Sequence, residues 1–97
     1  MRASVSEAAE AELVDGAKTY AEVAGKDLGL EFIAEFERCV DLLCQRPFLG
    51  MVAEEFVRRF PLRRFPYSIV YRVVGEDLRI VALAHHRRRP AYWAGRK

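Results

Sequence analysis

Lysine is nearly missing from this 97-residue chain, which carries only Lys18, Lys26 and Lys97, and acids are nearly missing from its second half. Residues 1–56 hold 5 Lys and Arg against 12 Asp and Glu, a balance of −7. Residues 57–97 hold 11 against 2, a balance of +9, and ten of those eleven bases are arginine. The formal net charge of +2 therefore hides an acidic half joined to a basic half. Arginine offers a planar, always-charged fork suited to bidentate recognition of phosphate and carboxylate. A merely solvated face would alternate lysine with glutamate, so the second half reads as a binding surface.

Other absences exclude whole classes. No run approaches the roughly 18 apolar residues of a membrane span, and MRASVSEAAEAE at the N-terminus lacks the apolar core of a signal peptide. The expectation is a cytoplasmic protein without membrane contact. Only two cysteines occur, Cys39 and Cys44. Their spacing on a helix separates the Cα atoms by more than about 7 Å and points them apart, which argues against a disulfide between them. They read as buried small apolar residues, and with no third or fourth ligand nearby they make no zinc site. No P-loop, dinucleotide fingerprint, HExxH or Ser/His/Asp arrangement is present, so no cofactor, metal or nucleotide hydrolysis is expected. A chain of this length closes one hydrophobic core, giving a single domain over residues 1–97.

What is present divides by periodicity. Ala3 to Val5 suits a short edge strand, and Ser6 is placed to cap a helix whose early Glu7, Glu10 and Glu12 complement the N-terminal dipole. Ala9, Leu13, Ala17, Tyr20 and Ala24 recur at helical spacing until Gly25. Asp27 is placed to cap a second helix with the stripe Leu28, Phe32, Phe36, Cys39, Val40 and Leu43, ending before Pro47. A two-residue join would make these a helical hairpin. After a turn at Pro47 to Gly50, Phe56 to Phe60 and Leu62 to Phe65 read as a strand interrupted at Pro61. Tyr67 to Val74 and Leu78 to Ala84 follow as strands around Gly75-Glu76-Asp77. The pattern predicts an α+β fold of order β-α-α-β-β-β, a short N-terminal strand and a helical hairpin packed on an antiparallel meander.

Candidate functional residues gather late in the chain. Within PLRRFPYSIVYRV, Phe65, Tyr67, Ile69, Tyr71 and Val73 share one predicted face and read as core. Arg64, Ser68, Val70 and Arg72 share the other, which would be a basic floor if left uncovered. His85 and His86, adjacent at a strand end, point to opposite faces and cannot share a metal; either has the ordinary pKa range of a general base. The tail Arg87, Arg88, Arg89, Tyr92 and Trp93 suits either RNA, through phosphate contacts and base stacking, or the carboxylates of an acidic protein segment. Pro90 and Gly95 limit Ala91 to Ala94 to a turn, in which one aromatic staples the tail and its neighbour stays available.

The element order, together with RRFPYSIVYRVVGEDLRIVALAHHRRRPAYWAGR at residues 63–96, resembles the RelE/ParE superfamily of bacterial type II toxin-antitoxin toxins. The resemblance implies a toxin neutralised by a cognate antitoxin that wraps its helices and sheet, in a heterotetramer or larger complex. RelE-like members cleave messenger RNA in the ribosome. In such a nuclease Arg64, Arg72, His85, Arg87 and Tyr92 would carry the chemistry. Those enzymes place lysines on the sheet, however, and a guanidinium is a poor proton donor. ParE-like members instead poison DNA gyrase, and the arginine-rich end of the last strand with the long hairpin favours that branch. A third reading is an inactive relative that only binds antitoxin. In the favoured reading Arg64, Arg72, Arg87, Arg88, Arg89, Tyr92 and Trp93 meet the target or the antitoxin.

Overall fold

Ser6 opens the helical hairpin in a computed structural model that describes residues 1–97. Its Oγ accepts the Ala9 N–H at 3.1 Å, satisfying one free donor at the start of helix α1, Glu7–Ala24. Gly25 alone joins α1 to α2, Lys26–Gln45, with φ +100°, a conformation costly for residues with a Cβ. The join is thus one residue shorter than the sequence suggested. Asp27 lies inside the first turn of α2, where it faces the dipole, and the cap position is Gly25. The two helices approach closely at Gly29, where a Cβ would fall 2.7 Å from the Ala17 carbonyl oxygen.

Five strands form one sheet: β1 (Arg2–Val5), β2 (Met51–Glu54), β3 (Val57–Pro61), β4 (Tyr67–Val74) and β5 (Asp77–His85), in the order β1-β5-β4-β3-β2. β1 runs parallel to β5 and the others are antiparallel. The α+β architecture matches the expectation, with two differences. β2 is an additional edge strand whose four residues are all exposed, so it has no buried-face alternation to reveal it. Leu62 to Phe65 is a loop rather than strand: Arg64 takes φ +69°, while Leu62 and Phe65 still reach the core. Pro61 ends β3 after pairing with Ser68.

The helices cover one face of the sheet over a core that includes Phe32, Phe36, Leu43, Ile69, Tyr71, Leu78 and Leu83. Phe32, Phe65 and Tyr67 meet edge to face there. Tyr71 carries its hydroxyl into this core with both needs met, accepting the Gly50 N–H at 2.9 Å and donating to the Pro47 carbonyl at 2.8 Å. Glu35 of α2 ties the hairpin to the loop after β3 by accepting the Arg63 N–H at 2.6 Å.

The opposite face is covered by the C-terminal tail. β5 contains an extra residue here: Tyr71 pairs with Ile80 and Val70 with Ala82, so Val81 is a β-bulge. Val81 and Ala82 consequently both face away from the helices, and with Val57, Val70, Ala84 and Trp93 they form a second, smaller core.

Candidate functional site

A cleft of about 100 Å³ opens between the tail and the ends of β3, β4 and β5. Each strand brings one polar side chain to it by alternation on the face away from the helices: Arg59 from β3, Ser68 from β4 and His86 just past β5. Arg88, Arg89, Tyr92 and Trp93 close it from the tail, and no acid lines it. Ser68 is buried, and its Oγ lies 2.9 Å from His86 Nε2. Arg59 and Arg89 enter no ion pair, so their charge is offered outward.

The tail holds its shape through Glu12 of α1. One carboxylate oxygen accepts the Leu83 N–H at 3.0 Å and Arg96 Nη1 at 3.0 Å; the other accepts the Tyr92 hydroxyl at 2.6 Å. Burial raises the Tyr92 phenol well above its ordinary range, and the hydrogen bond to the Glu12 carboxylate raises it further. The Arg88 guanidinium stacks 3.9 Å from the centre of the Tyr92 ring and Arg96 stacks at 5.2 Å. Trp93 is only 6% exposed and packs into the small core. Both aromatics therefore fasten the tail, whereas the sequence suggested that one would stay available.

The remaining expected residues are dispersed. Arg64 does not share a floor with Arg72: its left-handed backbone turns it toward α2, where Nη1 meets Glu31 at 3.1 Å. Arg72 does face away from the helices, opposite Arg79 in the sheet register, with its Nε enclosed and without a hydrogen-bond partner. The open basic floor is absent because Trp93 and the tail cover that face. The histidines do separate to opposite sides. The His85 ring meets Tyr67 edge-on at 4.9 Å while His86 faces Ser68. His85 Nδ1 accepts the Arg87 N–H at 3.0 Å, and its pKa is lowered by burial, then by the charges of His86 and Arg87. Arg87 itself is exposed, outside the cleft lining. Arg59 was missed by sequence reasoning, although continuing the β4 alternation across the sheet would have placed it beside Val70. Nor did sequence spacing pair His86 with Ser68, because the join depends on the bulge at Val81.

A family model for the "ParE toxin of type II toxin-antitoxin system, parDE" matches residues 3–90. The chain belongs to the ParE toxin family. A solved structure titled "Chromosomal ParDE TA system from P. aeruginosa" shares its fold, with a TM-score of 0.77 and 23% identity, covering 88% of this chain and 95% of that one. No curated protein matches the chain. In this ParE-family chain the match ends at Pro90, so Tyr92, Trp93 and Arg96, the residues that latch the tail, lie beyond it. No helix is long and apolar enough to cross a membrane.

Proposed function

We propose that this chain is the toxin of a type II module, held inactive by a cognate antitoxin, and that it inhibits DNA gyrase through its arginine surface without performing chemistry itself. The observation that carries the reading is the commitment of the acid-base groups around the cleft. Cutting RNA through its 2′-hydroxyl needs a base for the attack and an acid for the leaving oxygen. Tyr92 is bound to Glu12 with its pKa raised, and His85 is bound through Nδ1 with its pKa lowered. Lys18 lies on α1, Lys26 starts α2 and Lys97 ends the chain, none of them in the cleft. His86 Nε2 is engaged by the buried Ser68 Oγ at 2.9 Å, and the other side chains offered by the cleft are guanidinium groups, which bind anions well and transfer protons poorly. The expected setting is the cytoplasm, and the expected complex with antitoxin is a heterotetramer or larger.

The test uses the purified chain in two parallel assays, gyrase supercoiling with detection of cleaved DNA and messenger RNA cleavage on programmed ribosomes. Cleaved DNA with intact RNA is the expected result. Cut RNA with unaffected gyrase would replace this reading with a nuclease, and activity in neither would make the chain a relative that only binds antitoxin. Replacing Arg87, Arg88 and Arg89 together with alanine is expected to abolish growth inhibition while circular dichroism stays unchanged. Retained toxicity in that variant would remove the tail from the target surface.

A further inference from the structure

The ion pairs of the molecule all lie away from the cleft, joining Arg38, Arg64, Arg79 and Arg96 each to an acid. Arg59, Arg88 and Arg89 line the cleft and have no acid partner. Glu12, the carboxylate that holds the tail in place, is already taken by Leu83, Tyr92 and Arg96. Guanidinium groups drawn to one concavity repel one another, and the tail brings two of them there against that repulsion. An anion between them turns the cost into an attraction.

The floor of the cleft points the same way independently. Ser68 is only 2% exposed and shares the cleft wall with Ala84 and Trp93, surroundings in which a hydroxyl is costly unless it is used. Its side-chain partner is His86 Nε2. A hydroxyl both donates and accepts, so this one contact leaves Ser68 able to take a second partner inside the cleft.

Size and shape select the anion. At about 100 Å³ the cleft has the volume of roughly three waters, well below the roughly 300 Å³ at which sites for whole small molecules begin. A nucleotide does not fit, but one of its phosphate groups does. The donors arrive from two directions, Arg59 and Ser68 from the sheet and Arg88 and Arg89 from the tail. One guanidinium fork already fills both oxygens of a carboxylate, whereas a phosphate group offers further oxygens to the remaining donors. We propose that the cleft binds a single phosphate group, with Arg59, Arg88 and Arg89 on its oxygens and Ser68 at its base. That group is either a phosphodiester of a DNA strand or free phosphate. The DNA source rests on the gyrase reading; the site itself does not.

The experiment follows the emission of Trp93, the sole tryptophan and part of the cleft wall, as inorganic phosphate replaces chloride at constant ionic strength. A saturable change is expected for the full chain. Arg59→Ala and Ser68→Ala should each weaken phosphate binding about tenfold or more, through loss of a hydrogen bond to a charged group. The Arg59 side chain is exposed, so Arg59→Ala should melt like the parent and keeps the test valid if Ser68→Ala disturbs the fold. No saturable response, or variants that bind as the parent does, would overturn the site. Displacement of phosphate by a short single-stranded DNA, but not by its uncharged methylphosphonate counterpart, would assign the site to a DNA backbone. Phosphate binding undisturbed by either strand would assign it to free phosphate. Phosphate binding by a chain that leaves gyrase unaffected would refute the gyrase reading and keep the site, whereas gyrase inhibition without phosphate binding would refute the site alone.

Discussion

The two faces of the sheet are covered by unlike means. One lies under 38 residues of helix in two elements, with a core of twelve buried residues. The other lies under an irregular tail with a core of six, held by one buried indole and one carboxylate. Helical cover is redundant, because each side chain has neighbours at three and four residues that hold its helix in place. Tail cover has no such redundancy, yet that is the side where the free arginines stand. The proposed binding surface thus falls on the side with the less redundant cover, as binding elements commonly do.

Replacing Phe32 with alanine should break the thick side and the molecule with it, at a cost of about 4 kcal/mol. Urea unfolding followed by circular dichroism would report this as one cooperative loss. A change under about 1 kcal/mol would mean that the aromatic cluster with Phe65 and Tyr67 does not anchor the hairpin.

On the thin side, Trp93→Ala should cost less, about 2 to 3 kcal/mol, because the tail can lift away without unfolding the helices. Exchange of tail amides should accelerate while that of α1 and α2 stays slow. Uniform acceleration would show that the faces fold as one unit and would erase the distinction.

Glu12→Gln sharpens the comparison, since it keeps an acceptor for Leu83 while weakening the bonds from Arg96 and Tyr92. The expected loss is about 1 to 2 kcal/mol. Trp93 is the sole tryptophan, so its emission should shift red as the tail loosens, before any change in helical signal. Coincident transitions would deny the latch.

The smallest effect concerns Glu35, the corresponding carboxylate of the thick side. Its hydrogen bond from Arg38 lowers its pKa from 4.5 to about 2; burial opposes this, and the Arg63 N–H adds to it. Because the folded value is the lower one, this contribution is fully present above pH 4.5 and is lost as pH falls toward 2. Glu35→Gln should flatten that part of a stability-pH curve. An unchanged acid limb would mean the carboxylate titrates normally.

Sequence pattern made the thick side legible and the thin side hard to read, for a physical reason. Phe32, Phe36, Cys39 and Leu43 repeat at helical spacing, and Tyr67, Ile69, Tyr71 and Val73 alternate, since a large core imposes a period. β2 pairs through its backbone while all its side chains stay exposed, so nothing imposes a period on Met51–Glu54. Arg64 was misplaced because strand alternation was carried through a loop that a positive φ reverses. Tyr92 and Trp93 showed their importance by type alone. That both would be consumed in holding the tail depends on Glu12, 80 residues away from Tyr92.

The bulge at Val81 sets the phase of everything that follows it. In a regular strand of the same sequence, every residue after Val81 would exchange faces: His85 would look into the cleft, His86 would lie over Tyr67, and Leu83 would leave the main core. The bulge also leaves the Val81 carbonyl for Ser6 Oγ and Arg96, at 3.4 and 3.1 Å, and so joins the cap of the first helix to the end of the tail. One unpaired residue thus acts as a clutch between two half-molecules, letting a single strand run in step with the hairpin before it and with the arginine tail after it.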